Sequence, residues 1–314
     1  MSSAENTPIV RRIDERLYQI NTLMFGRPQF AAVYLVKGER SAILDAGVST
    51  TVDTVLAGIA AAGVRLQEVA YICLTHAHYD HAGGAHALVR RLKHAGAQVK
   101  VACSQKPSIY LGRQDILDKI MVSGRANEGA RAGVMEPVGA QDLTVLESGD
   151  ILDLGGVSVQ AFDAPGHANG HFIFRVPRSD FAYVGDACGV SGRTADPLPA
   201  IAPTAFAPEY RHERYVDNIR AIADSGVTRV SLAHFGILAD PRRSLPAAID
   251  TAEWAYGLAR GVAAGGDREA AVALLGERLN DVLLPLYQSP ARVRVMIDSM
   301  LSGMIHDLER GPDK

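Results

Sequence analysis

The sequence predicts an α/β (α+β) fold, with a body of short strands and helices to about Asp240 and a region of helices only after it. Three observations carry this expectation. Short apolar or alternating runs recur up to Asp240, separated by Gly, Pro or Asp turns. Helical apolar spacing is interleaved with them, and beyond Asp240 every apolar stripe has the helical period.

The elements follow in order. Residues 18–24 and 30–36 are apolar or alternating and read as strands, and 42–45 runs into the turn residues of DAGVST. Residues 51–62 place Val52, Val55, Leu56 and Ile59 on one side of a helix, and Gly63 stands where a C-terminal cap belongs. A buried strand over 69–74 delivers the chain into THAHYDHAGG, after which 85–94 reads as a helix and 98–102 as a strand. The stretch 104–141 has helical patches, such as 109–121, but no clean period, and reads as an insertion with helices. Strand character returns at 157–162, 172–176 and 181–184, followed by a proline-rich segment from Ala195 to Pro208, a helix at 213–224 and a strand at 229–233.

Beyond that point Leu245, Ile249, Ala252 and Tyr256 form one stripe, and Val272, Leu275, Leu279 and Val282 a second. Val293, Ile297, Met300, Met304 and Leu308 form a third, opened by Ser289 as cap and Pro290 as first residue. The organisation read from this is a body over 1–240 with the 104–141 insertion, and a helical C-terminal region over 241–314.

Composition excludes several classes. With 47% hydrophobic and 21% charged residues over 314 positions, the chain is long and apolar enough for one large core or two smaller ones, which excludes disorder. A formal net charge of −3 offers no basic field for nucleic acid. Cys73, Cys103 and Cys188 cannot all pair within one chain, which suits a reducing compartment. The charged start MSSAENTPIVRRIDERLYQI lacks a secretory apolar stretch, and no window approaches ~18 consecutive apolar residues. The expectation is a cytoplasmic protein with a small-molecule substrate and no membrane or nucleic-acid partner.

The chemistry is concentrated in His76, His78, Asp80 and His81, directly after a buried strand and before Gly83 and Gly84. Residues two apart at a strand end point the same way, so His76 and His78 reach one metal ion, while the following turn aims Asp80 and His81 at a neighbouring point. Imidazole nitrogens and carboxylate oxygens suit zinc, and also iron or manganese. APGHANGH then places His167 on a turn between strands, YVGDACG places Asp186 at a strand end, and SLAHFG does the same for His234.

At these residues the sequence resembles the metallo-β-lactamase superfamily, whose pattern is H-x-H-x-D-H followed by a His, an Asp and a His. The resemblance runs over about 18–236 and fills all seven ligand positions. It implies a four-layer αββα sandwich with the site at one edge of the paired sheets. It also implies that His76, His78 and His167 hold a first metal, that Asp80, His81 and His234 hold a second, and that Asp186 bridges them. Two divalent ions, zinc first and iron or manganese otherwise, would generate a bridging hydroxide that attacks an electrophilic carbonyl, with Asp80 orienting the water or taking its proton.

Asp186 departs from the antibiotic-destroying branch, which usually has Cys or Ser there, and His78 from the diiron oxygen-reducing branch, which usually carries an acid. The resemblance therefore points to a thioester or ester/lactone hydrolase, close to glyoxalase-II-like enzymes and poorly characterised hydrolases with a helical tail. The alternatives are a persulfide dioxygenase with a single iron, and a binding or regulatory protein with a vestigial site.

The remaining candidates read more plainly. His171, four after His167, either orients it or makes a structural hydrogen bond. His86, His94, His212 and His306 read as ordinary surface or helix histidines, Cys188 as a packing residue, and the basic residues of 104–141 as a solvated face. The tail is expected to dock on the body and shape an acyl pocket through Trp254 or Tyr256. A homodimer contact through Met296, Met300 and Met304 is the rival.

Overall fold

The structure, a computed structural model, describes residues 9–192 and 196–311, so the first eight residues of the charged start, and Ala195 of the proline-rich segment, lie outside the described residues. The chain folds as two compact units. The first runs to Asp163 and resumes over Phe172–Tyr183, and the second takes Ala164–His171 and everything described from Val184 onward.

The first unit holds a seven-stranded sheet in chain order: β1 (Val10–Arg12), β2 (Leu17–Asn21), β3 (Ala32–Lys37), β4 (Ser41–Leu44), β5 (Val69–Cys73), β6 (Lys100–Cys103) and β7 (Leu143–Val145). The pairs from β1 to β4 are antiparallel and those from β4 to β7 parallel. Parallel neighbours need crossovers, which here are helical. Helix α1 (Val52–Ala61) joins β4 to β5, the single turn α2 (Tyr79–Ala82) and helix α3 (Ala85–His94) join β5 to β6, and α4 (Gln105–Leu111) and α5 (Gln114–Glu128) precede β7.

The face of α1 foreseen from spacing is the buried one: Val52, Val55, Leu56 and Ile59 pack with Leu88 and Leu92 of α3 and with Ile43, Ile72 and Val101 of the sheet. Each such side chain contributes about 1.5–3 kcal/mol by leaving water. A second, antiparallel sheet of the same unit runs β8 (Ile151–Asp153), β9 (Ser158–Asp163), β10 (Phe172–Val176) and β11 (Phe181–Tyr183). Tyr34 of β3 meets the rings of Phe181 and Tyr183 at 5.1 and 5.3 Å, so the two sheets face one another through aromatic contacts.

Two sequence expectations shift in this unit. The strand expected over 18–24 stops at Asn21, because Leu23 and Phe25 take left-handed φ values of 51° and 58° and turn the chain out of the sheet. The helical patch expected over 109–121 is split at Gly112 and Arg113 into α4 and α5. The loop and insertion are tied together. Arg27 forms a buried ion pair with Glu128 at the end of α5, Arg131 Nη1 donates to Phe25 O at 3.0 Å, and Gly124 leaves room for the Tyr79 ring. Tyr79 opens α2, so this packing fixes the turn that carries Asp80 and His81.

The second unit contains α6 (His212–Asp224), the paired strands β12 (Arg229–Leu232) and β13 (Gly236–Ile237), and the helices α7 (Pro241–Ala263), α8 (Arg268–Tyr287) and α9 (Pro290–Arg310). Asp267 caps α8 by accepting from the backbone N–H of Glu269 and Ala270, and Ser289 caps α9 ahead of Pro290 as the sequence predicts. The three stripes are buried, with Ile249 and Leu308 only half covered. Met300 and Met304 are 1% and 0% exposed inside this packing, which withdraws both from the subunit contact weighed for them.

Candidate metal centre

The first unit contributes four of the expected ligands. Strand β5 is buried and parallel to its neighbours, and its end releases the chain into Thr75 and His76. The turn that follows is held by main-chain bonds: His81 N–H and Ala82 N–H donate to His78 O at 3.1 and 2.9 Å, and Ala46 N–H donates to His81 O at 2.8 Å. Gly84 is required here, because a Cβ at that position would overlap the Ala46 carbonyl. The His76 ring lies 4.4 Å from that of His78 and 4.2 Å from that of His81, centroid to centroid. One ligand atom each of His76 and His78, of His76 and His81, and of Asp80 and His81 lie within 4.8 Å of one another.

Asp45 orients these rings. It is buried at the end of β4 and accepts from Thr75 N–H at 2.8 Å, from Thr75 Oγ1 at 3.0 Å, from Tyr183 O–H at 2.8 Å and from His81 Nδ1 at 2.8 Å. Thr75 Oγ1, having given its proton to Asp45, accepts from His76 Nδ1 at 3.0 Å. Both rings are thereby set as Nδ1–H tautomers, with Nε2 the nitrogen that can turn to a metal. Sequence reasoning took Asp45 as part of a turn. Its only signal was a carboxylate closing an apolar strand that turns out to lie beside the motif strand.

The second unit contributes the other three. His167 is fully buried on a loop closed by Ala164 N–H to His171 O at 2.8 Å and pinned by Arg211 N–H to Gly166 O at 2.7 Å. Its Nδ1 donates to Thr204 O at 2.7 Å, which fixes the same tautomer as in the first unit. Its Nε2 stands 3.6 Å from Asp186 Oδ2, while the other oxygen, Oδ1, stands 3.7 Å from His234 Nε2. These separations exceed hydrogen-bonding range. Two ligands bound at ~2.0–2.2 Å to one ion stand about 3–4 Å apart, so the spacing is that of ligands sharing a metal. Asp186 thus offers each of its oxygens to a different histidine.

Four further residues refine the sequence expectations. His171 meets the His167 ring edge-on at 5.8 Å between centroids, and its Nε2 accepts from Asp186 N–H at 3.3 Å, the structural hydrogen bond of its two readings, which steadies the Asp186 turn. His212 is a helix histidine, the first residue of α6, and not a surface one. It is buried, stacked on Tyr256 at 3.7 Å, and bonded to the Tyr210 hydroxyl at 2.9 Å and to Glu253 at 3.2 Å. Tyr256 lines a cavity of about 410 Å³ together with Arg211, His212, Arg260 and Asp307, and no expected metal ligand lines it. Trp254 is covered by the Arg278 guanidinium at 4.4 Å.

Cys188 is fully buried, and among the described residues no group that could hold a metal includes a cysteine. The donor set is therefore imidazole and carboxylate without thiolate, which fits a borderline or hard divalent ion such as zinc, iron or manganese. Among the described residues no helix is long and apolar enough to cross a membrane.

Several known proteins are similar to this chain in sequence or fold. A metallo-β-lactamase fold-containing protein of the archaeon Sulfurisphaera tokodaii is 28% identical over 216 residues, 67% of this chain and 75% of its own. A hydroxyacylglutathione hydrolase of Hyphomonas neptunium is 31% identical over 113 residues, 36% of this chain and 31% of its own. The crystal structure of an archaeal metallo-β-lactamase superfamily protein from Sulfolobus tokodaii superposes with a TM-score of 0.61 at 23% identity, covering 87% of this chain and 99% of that one. A metallo-β-lactamase family protein of Thermus thermophilus gives 0.61 at 19% identity, covering 89% and 88%. The fold class is the αββα sandwich of these proteins, with a helical C-terminal region. The sequence model of the metallo-β-lactamase superfamily matches residues 26–234, a span that contains all seven expected ligands, and the chain belongs to that superfamily.

Proposed function

We propose that this chain is a metal-dependent hydrolase of thioesters or of esters and lactones. In this reading His76, His78 and His167 hold one divalent ion, Asp80, His81 and His234 hold a second, and Asp186 bridges them. Zinc suits the donor set first, with iron or manganese as the other ions it accommodates. The observation that carries the reading is the Asp186 carboxylate, whose two oxygens face two different imidazole Nε2 atoms at 3.6 and 3.7 Å. A carboxylate serving a single ion has no need of a histidine at each oxygen.

Bound divalent ions would supply a water activated near neutral pH and polarise the carbonyl under attack. The chain's own residues do the rest. Asp45 and Thr75 hold His81 and His76 by their Nδ1–H groups, so neither ring has to reorganise during the reaction. Asp80, with its side chain 16% exposed against 2% for that of His81, is the ligand carboxylate of its unit open enough to orient an attacking water or accept its proton. The hydroxyacylglutathione hydrolase among the relatives supports acyl cleavage by water as the reaction class.

A panel of thioesters, lactones and phosphodiesters, run on protein whose metal has been counted, tests the reading. Turnover of a thioester or lactone that scales with divalent metal is expected. One iron per chain with sulfide-dependent oxygen uptake, and no hydrolysis, would overturn it.

A further inference from the structure

We infer that Thr204 is a positioning residue that holds two metal ligands in register, and that helix α9 keeps it there through Gly303. The inference rests on His167 and Asp186 being ligands, as proposed above.

Thr204 is 2% exposed and lies in the proline-rich segment, for which the sequence offered no role. Its backbone carbonyl accepts the Nδ1–H of His167 at 2.7 Å, and its side-chain Oγ1 donates to the main-chain carbonyl of Asp186 at 2.7 Å. One residue therefore sets the tautomer and tilt of one ligand and anchors the backbone of the other. Its own backbone N–H donates to the Tyr215 hydroxyl at 3.4 Å, and Tyr215 is 1% exposed, so the clamp is fastened to the interior of its unit. The segment is also zipped to the chain just beyond Asp186, by reciprocal 2.9 Å bonds between Val190 and Ala202.

The tail reaches this clamp directly. Gly303 of α9 sits so close to Ala205 and Phe206 that a Cβ would overlap the Ala205 carbonyl and crowd Phe206 Cα at 2.9 Å. Ala205 is fully buried and adjoins Thr204. A side chain at 303 must displace either the helix or the segment, because the atoms it would meet, of Ala205 and Phe206, are backbone and cannot rotate away. A contribution of the tail to metal retention follows, distinct from any effect on substrate size.

The test is zinc affinity by chelator competition for wild type, Thr204→Val, Thr204→Ser and Gly303→Ala, alongside melting of each metal-free protein. Thr204→Val keeps the shape and the carbonyl to His167 but loses the hydroxyl proton. It should weaken zinc binding about 10-fold or more, the usual cost of losing a group that orients a ligand. Thr204→Ser, which restores the hydroxyl, should return affinity to near wild type, and Gly303→Ala should weaken it in the same direction as Thr204→Val. Thr204→Ala serves in place of the valine variant should that one not pack. A folded Thr204→Val with unchanged affinity, or a serine variant as weak as the valine one, would overturn the role of Thr204. A folded Gly303→Ala with wild-type affinity would overturn that of α9. Wild type that takes up no divalent ion at all overturns the ligand reading beneath the inference, which the variants alone cannot do.

Discussion

Asp45→Asn removes one charge and changes nothing else in shape. The carboxylate collects four donors on two oxygens: Thr75 N–H and Oγ1–H, the Tyr183 hydroxyl, and Nδ1–H of His81, at 2.8 to 3.0 Å. An amide offers one acceptor and one donor. Whichever way it flips, its NH₂ meets either Thr75 N–H, which cannot turn round, or His81 Nδ1–H, which can give way only by moving its proton to the Nε2 that a metal would need. Tyr183 alone has an alternative, at Ala32 O 3.5 Å away. One charge-assisted bond is lost, about 1.5–3 kcal/mol, and one buried donor is left facing another, about 1–3 kcal/mol. Relief from burying a charge offsets part of this, which leaves a net cost of about 3 kcal/mol. The same change frees the His81 ring, so metal affinity should fall about 10–100-fold. Urea unfolding of the metal-free variant and chelator competition on the folded variant measure the two effects. Wild-type stability together with wild-type affinity would refute the claim that Asp45 orients the ligand shell.

Other outcomes follow from the same structure. His76→Ala and His234→Ala should lose metal and turnover while circular dichroism stays near wild type, because the apolar core is built without them; two retained ions at full turnover would contradict the assignment. Burial pushes His212 below the usual imidazole range, although Glu253 pulls the other way. The folded state therefore favours the neutral ring, and its contribution to stability is present above about pH 6.5 and lost as pH falls through the lower folded value. His212→Gln should flatten the loss of stability between pH 7 and 5, and an unchanged pH profile would dismiss this residue as its source. Burial pushes the Cys103 thiol up to about 12 and raises that of Cys73 as well, so neither should be alkylated at pH 8 before unfolding; rapid labelling of the native protein would show that these strands open. Leu279→Ala, at a fully buried position of α8, should cost about 2–5 kcal/mol, and a cost below about 1 kcal/mol would mean that the helix packs loosely.

Much of this molecule is written in local pattern. The buried strand before His76 had to expose its last residues at a turn, and the glycines after His81 had to permit close approach, so the turn that gathers His76, His78, Asp80 and His81 was legible. The tail helices were legible because apolar stripes of helical period have nowhere to go but against one another. What stayed hidden acts through main chain or across long separations. Asp45 reaches His81 only because β4 and β5 are parallel neighbours, a fact of pairing and not of composition. Thr204 serves His167 with a carbonyl, which every residue has, so no side-chain pattern announces it. The break between α4 and α5 falls at Gly112 and Arg113, inside a stretch without a clean period, and the early end of β2 lies where left-handed backbone at Leu23 and Phe25 overrides an apolar or alternating run. His212 reads as polar in sequence and is buried because Tyr210, Glu253 and Tyr256 satisfy and cover its ring.

The claim on which everything else rests is that seven residues hold two ions through a bridging Asp186. Counting metal per chain after saturation and desalting, in wild type and in Asp186→Asn, tests it most directly. A neutral amide bridges two cations poorly, so wild type should hold two ions and the variant about one, with turnover lost along with the second. Two ions held at wild-type affinity by Asp186→Asn, or a single ion in wild type, would contradict it.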